Sequence, residues 1–143
     1  MNAVTFDVTN SADSASTTIL VVDDNRMVNK ALSSLLRDAG YTPKAFHNGA
    51  NALAFAETAQ TPVAAVIDIH LPDINGLVLS HKLRERFGPD MPIVVVSGDT
   101  SMETIKSLPH VGATYFFPKP VNAAALIQRL KELIENRGAR ESA

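Results

Sequence analysis

The chain contains no cysteine, which excludes disulfides, thiolate metal sites and cysteine nucleophiles and leaves the redox compartment unmarked. It also lacks an excess of either charge. Lys and Arg number 13 against 15 Asp and Glu, for a formal net charge of -2. That balance does not supply the basic footprint of nucleic-acid or anionic-membrane binding, so neither is expected as a direct partner. Long apolar runs are missing too. Stretches such as Val63–Ile67 fall far short of the ~20 residues that cross a bilayer. Met1–Asn10 has neither the basic start nor the apolar run of a secretory signal. A cytoplasmic protein is the expectation.

What is present fits one globular domain. With 143 residues, 45% hydrophobic and 20% charged, the chain has enough apolar material for one packed core and too little length for two. Asn10–Thr18 is small and polar and buries too little to offset its ordering entropy, so residues 1–17 are expected as a flexible leader. Within it, Val4–Thr9 alternates apolar and polar residues in the manner of a short edge strand, although a disordered terminus is the better expectation. The domain is expected over 18–137, with a tail at 138–143.

From Ile19 onward, strand and helix signals alternate. Ile19–Val22 is a short apolar run, and Asn25–Ala39 places Val28, Leu32, Leu35, Leu36 and Ala39 at helical spacing before a stop at Gly40. The couplet repeats four times: Thr42–Phe46 with Ala50–Ala59, Val63–Ile69 with Gly76–Phe87, Pro92–Val96 with Ser101–Leu108, and Ala113–Phe117 with Val121–Asn136. Strands apolar on both faces need helices on both, which predicts an α/β fold with an open, doubly wound parallel sheet. Such sheets bind ligands beyond the carboxyl ends of their strands.

The residues expected at that edge are Asp23 and Asp24 after the first strand, Asp68 at the end of the third, Ser97 after the fourth, and Lys119–Pro120 after the fifth. Three crowded carboxylates repel one another unless a cation sits among them, and an oxygen-only donor set suits Mg²⁺. A single Asp here would be read as a helix cap. That reading does not cover a second Asp, nor a third inside an apolar strand. His47, His70, His81 and His110 show no i, i+4 pairing, so a zinc site is not expected.

These landmarks resemble the receiver domain of two-component response regulators, over Thr18 to about Asn136. The resemblance rests on Val21-Val22-Asp23-Asp24-Asn25, Asp68-Ile69-His70-Leu71-Pro72-Asp73-Ile74-Asn75-Gly76, Ser97-Gly98 and Lys119-Pro120, with spacings of 45, 29 and 22 residues between Asp23, Asp68, Ser97 and Lys119. It implies a flavodoxin-like (βα)5 fold with strand order 2-1-3-4-5, as in the chemotaxis receiver. It implies Asp68 as phosphoacceptor from a phosphohistidine on a sensor histidine kinase or phosphotransfer protein. Asp24, Asp68 and the His70 backbone carbonyl would ligate Mg²⁺, with Asp23 acting through water. Ser97 and Lys119 would bind the phosphoryl group, and Ser97 and Phe116 would form the switch. His70 and Asp99 would modulate its lifetime, and the Lys119–Pro120 peptide would be cis. The output surface would comprise the fourth helix, fifth strand and fifth helix, where a phosphorylation-dependent homodimer is one outcome.

Two features depart from the pattern. Phe116 keeps the ring of the family's switch aromatic and loses a tyrosine hydroxyl. Pro109 is expected to end the fourth helix early. Arg137–Ala143 is too short for an output domain, so the signal is expected to leave through a surface. Three rival functions share parts of the pattern. A hydrolase forming an aspartyl phosphate would place its nucleophile on the first strand, and a flavin-binding module would need a phosphate loop after it. A phosphorylation-independent binding module on the same fold is the runner-up.

Overall fold

The computed structural model of the chain describes residues 17–142, with side chains described through residue 136. Val4–Thr9 and the rest of the expected leader up to residue 16 lie outside the described residues. The elements are β1 (Thr18–Val22), α1 (Arg26–Asp38), β2 (Thr42–Phe46), α2 (Gly49–Thr58), β3 (Ala64–Asp68), α3 (Gly76–Phe87), β4 (Ile93–Ser97), α4 (Met102–Ser107), a 3-10 turn (Pro109–Val111), β5 (Tyr115–Pro118) and α5 (Ala123–Ser142). All strand pairs are parallel, in the order β2-β1-β3-β4-β5. The flavodoxin-like arrangement expected from the sequence is the one observed. The backbone of α5 stays helical past Asn136, where the sequence pattern stops.

Two cores lie on opposite faces of this sheet, because successive strand residues point to opposite sides. Leu20, Val22, Ala65, Ile67, Ile93 and Val95 face α2, α3 and the α4 segment, meeting Ala52, Leu79, Leu83 and Leu108. Ile19, Val21, Ala64, Val66, Val94 and Val96 face α1 and α5, meeting Leu32, Leu36, Leu126 and Leu130. The central strands β3 and β4 are buried throughout, whereas the edge strands β2 and β5 are half exposed.

The buried stripe of α1 differs from the expected one. It runs through Asn29, Leu32, Ser33 and Leu36, while Val28 and Leu35 are each 40% exposed. The cause is a polar requirement. Asn29 donates from Nδ2 to the carbonyls of Asp23 at 3.1 Å and Phe46 at 2.9 Å, and Ser33 donates to Asn29 Oδ1 at 3.3 Å. These backbone acceptors sit where β1 and β2 end, so an amide serves there better than an apolar residue. Asn25 proves to be the N-cap of α1, accepting from the Val28 amide. At the other end Gly40, at φ 98, donates to Arg37 O while Tyr41 donates to Leu36 O, which closes the helix as the sequence pattern predicts. Pro109 ends α4 after six residues and starts the 3-10 turn.

The loop from Ile69 to Asn75, which follows β3, is held at three points. Its Gly76 end comes so close to β3 that a Cβ there would lie 2.1 Å from the Asp68 carbonyl oxygen, and the Gly76 amide donates to Ile69 O at 2.7 Å. Asn75 caps α3 by accepting from the Leu77 amide. Asp73 reaches across to α2, where its two carboxylate oxygens accept the Gly49 and Ala50 amides at 2.9 and 2.8 Å. These hydrogen bonds hold the Asp73 carboxyl below the usual carboxylate range.

Two outcomes follow from this loop. Gly76→Ala should lower unfolding stability by about 1–3 kcal/mol, the usual cost of forcing atoms into a filled space, as read by denaturant titration; wild-type stability would show that α3 can retreat freely. Asp73→Ala should lower the melting temperature most near neutral pH. Because Asp73 is held below its unfolded pKa, its contribution is complete above the ordinary carboxylate range near ~3.9 and is lost as pH falls through the folded value. The gap between wild type and variant should therefore close in acid, and a gap independent of pH would contradict the charge-assisted cap.

Candidate functional site

The register of the sheet builds the site. Val22 pairs with Ile67, so the next residues, Asp23 and Asp68, stand side by side; Asp68 pairs with Val96, and Ser97 pairs with Pro118. Ser97 thus stands one step past Asp68 and Lys119 two, the latter tied back by its amide donating to Ser97 O at 2.9 Å. Strand alternation sorts the side chains. Asp23, Asp68 and Lys119 continue the rows that face α1 and α5, while Ser97 continues the row of Ile93 and Val95 that faces α3 and α4.

Asp23 and Asp68 are buried and Asp24 is exposed, yet one carboxylate oxygen from each can be drawn from a set lying within 4.8 Å of one another. Lys119 enters from β5. Its Nζ lies 3.1 Å from Asp68 Oδ2 and 3.4 Å from Asp23 Oδ2. The Lys119–Pro120 peptide is cis. Asp23 Oδ1 accepts the Asn25 amide at 2.9 Å, and Asp68 Oδ1 accepts the His70 amide at 3.2 Å.

Burial pushes the Asp23 carboxyl above its ordinary range; the Asn25 amide and Lys119 pull the other way, and the neighbouring Asp68 charge adds to the rise. For Lys119, burial works against the ammonium, but hydrogen bonding and attraction from Asp68 and Asp23 outweigh it and its pKa lies above the usual value. The inner flank of the pair is mostly apolar. A cavity of about 210 Å³ lined largely by valine, alanine and leucine side chains of β1, β3, α1 and α5 reaches Asp23 and Asp68. The outer flank is an open recess of about 480 Å³ lined by Asp68, His70, Gly98, Asp99 and Lys119.

Chemically, three carboxylates and one ammonium leave a local deficit of positive charge beside an open recess. Hard oxygen donors without nitrogen or sulfur partners suit a divalent cation of the magnesium type. A carboxylate with an adjacent ammonium can also act as a nucleophile toward an anionic electrophile, because the ammonium and the cation neutralise the incoming charge.

The remaining sequence-derived residues also reach this edge. Ser97 is fully buried, and its Oγ accepts the Asp99 amide at 2.9 Å. Asp99 lines the recess, but its carboxylate is engaged with α4: Oδ1 accepts the Ser101 amide at 2.9 Å and Oδ2 the Thr104 hydroxyl at 2.7 Å. His70 is exposed on the recess. Phe116 is half-buried on the sheet face of α3 and α4, packed against that core. Sequence reasoning missed Asn29 and Asp73, which brace the loops carrying Asp23 and His70. An Asn in register with Leu32 and Leu36 was the available signal for the first; nothing local signals the second.

Comparison with known proteins agrees with this architecture. The family model for the response regulator receiver domain matches residues 19–131. Response regulator MprA of Mycobacterium ulcerans is 36% identical over 117 residues, covering 81% of this chain and 49% of MprA. The chain thus spans about half the length of that relative. A CheY-like receiver domain protein from Methanospirillum hungatei superposes with a TM-score of 0.82 at 28% identity, covering 87% of this chain and 98% of that one. A Burkholderia pseudomallei response regulator, solved with a phosphorylated aspartic acid, a calcium ion and citrate, gives a TM-score of 0.74 at 29% identity, covering 87% of this chain and 72% of that one. With five strands in receiver order, an acidic cluster facing a lysine, and a family match across most of its length, the chain belongs to the response regulator receiver domain family.

Proposed function

We propose that this receiver accepts a phosphoryl group on Asp68 from a phosphohistidine, borne by a sensor histidine kinase or a histidine phosphotransfer protein. The observation that carries the reading is the pair of contacts from Lys119 Nζ to Asp68 at 3.1 Å and Asp23 at 3.4 Å, at the rim of an open recess. The phosphorylated aspartic acid of the Burkholderia relative supports it. An Asp68 carboxylate oxygen forms a bond to phosphorus as the P–N bond breaks, and the bonding pair leaves with the imidazole nitrogen. Lys119 pairs with the phosphoryl oxygens as a point charge and Ser97 donates its hydroxyl to one of them.

The donor set fits Mg²⁺, with Asp24, Asp68 and the His70 carbonyl as ligands and Asp23 acting through water. Bound there, Mg²⁺ would supply charge neutralisation on the transferring group. Ser97 and Phe116 form the switch, and the signal leaves through α4, β5 and α5 to a protein partner, which includes a second copy of this chain. His70 and Asp99 flank the solvent side of the recess and set the lifetime of the acyl phosphate by orienting or excluding water. In this reading the chain is a cytoplasmic signalling module over 18–137, with flanking segments at 1–17 and 138–143. It turns over no substrate beyond its own acyl phosphate. Neither nucleic acid nor membrane is a direct partner, and among the described residues no helix is long and apolar enough to cross a membrane.

Intact-mass analysis after acetyl phosphate with Mg²⁺ should show one added phosphoryl group on wild type. Asp68→Ala or chelation of Mg²⁺ should abolish it. Equal modification of Asp68→Ala would refute the assignment, and none on wild type would favour a phosphorylation-independent binding module. Repeated turnover of a generic phosphate ester would favour a hydrolase. His70→Ala and Asp99→Ala should still be phosphorylated but should lose the group at altered rates. Wild-type rates in both and in the double variant would remove them from the lifetime mechanism.

A further inference from the structure

Helix α4 has few apolar anchors, Ile105 packing against the core and Leu108 following its last turn. It is six residues long, too short to persist by its own hydrogen bonding, and Thr104 is its only buried residue. Met102 is 66% exposed. What fixes its first turn is polar. Ser101 caps it, with Oγ accepting the Thr104 amide at 3.3 Å. Asp99 then accepts both the Ser101 amide and the Thr104 hydroxyl.

The same Asp99 is bonded to the site through its main chain, its amide donating to Ser97 Oγ. Its side chain also lines the recess with Asp68, His70 and Lys119. A continuous path therefore runs from the Ser97 hydroxyl through the Asp99 backbone and carboxylate to the Ser101 amide and Thr104 hydroxyl of α4. A second line of influence is electrostatic. A phosphoryl group on Asp68 brings negative charge into a recess that the Asp99 carboxylate shares, and like charges repel across it.

We infer that Asp99 is a positioning residue that makes the attachment of α4 depend on what Asp68 carries: its carboxylate fastens α4 at rest, and loading of Asp68 loosens that fastening. This rests on the phosphoryl-acceptor reading above and goes beyond the lifetime role, because it concerns the helix and not the water. Loading draws on Ser97 Oγ, which accepts the Asp99 amide, and repels the carboxylate, which holds the Ser101 amide and the Thr104 hydroxyl, so both effects converge on Asp99. Ser97 and α4 lie on one face of the sheet, which keeps the path short.

The test is amide hydrogen exchange of the 101–111 segment in the full chain, at rest and with Mg²⁺ and beryllium trifluoride, while the ¹⁹F signal of bound fluoroberyllate reports occupancy independently. In wild type, loading should raise exchange in this segment several-fold. Asp99→Ala should raise resting exchange about tenfold, matching the loss of two hydrogen bonds, and should show little further rise on loading. Asp99→Asn retains an acceptor for the Ser101 amide and should keep resting exchange within about twofold of wild type. A merely structural role for Asp99 would raise resting exchange and leave the response to loading intact, so a wild-type increment in Asp99→Ala with bound fluoroberyllate overturns the inference alone. Bound fluoroberyllate with unchanged α4 exchange in wild type also overturns it. No bound signal in wild type overturns the acceptor reading together with the inference.

Discussion

Two buried carboxylates sharing one ammonium set the terms for this molecule. Asp23 and Asp68 each contact Lys119 Nζ, and the exposed Asp24 brings a third carboxylate into the same few ångströms. Taking such charges out of water is costly, and the attraction within the cluster offsets that cost only with good geometry and further hydrogen bonds. Amides of Asn25 and His70 supply those bonds. Even so, the cluster holds more negative than positive charge. That excess suits a divalent cation, while Lys119 beside Asp68 offers a partner for an anionic group.

The geometry of the cluster comes from backbone devices at some distance from it. Parallel register brings Asp23 beside Asp68 and places Ser97 one step beyond and Lys119 two. Gly76 lets α3 approach the Asp68 carbonyl closely, and Asn29 gathers the carbonyls at the ends of β1 and β2. At the opposite edge of the sheet Arg84 plays a similar part, donating to the carbonyls of Gly88, Met91 and Gly112 and so joining the segments that lead into β4 and β5. Burial holds the Arg84 pKa below its ordinary value, with the Asp90 charge acting in the other direction. Both ends of β4 and β5 are thus anchored, leaving α4 between them with few apolar contacts of its own.

The two faces of the sheet differ in what they carry at its carboxyl edge. The α1 and α5 face carries the acidic pair and Lys119 above a continuous core from Ile19 to Leu130. The other face carries Ser97 and Phe116 beside a short, polar-fastened helix. The acidic pair on the first and the short helix on the second are joined by one loop, 97–101, so Asp68 and the shortest α-helix among the described residues lie within a few residues of that loop.

The sequence by itself determined the five strand-helix couplets, the parallel sheet and the landmarks Asp23, Asp24, Asp68, Ser97 and Lys119, because alternating apolar runs and helical periodicity are local and strand ends in such sheets converge on one edge. It also determined the short α4, since Pro109 cannot continue a helix. Tertiary structure alone decided that α1 turns Asn29 inward and leaves Val28 and Leu35 at the surface, because the acceptors that Asn29 satisfies lie at the ends of two different strands, β1 and β2. It likewise decided that Asp73 caps a helix 23 and 24 residues away in sequence, and that Asp99 joins α4 to Ser97, its carboxylate bonded to the helix and its amide to the Ser97 hydroxyl. Periodicity records which faces of an element are apolar; it carries no record of which distant amide or carbonyl a polar side chain will meet, and that meeting exists only once the sheet has set the ends of its strands side by side.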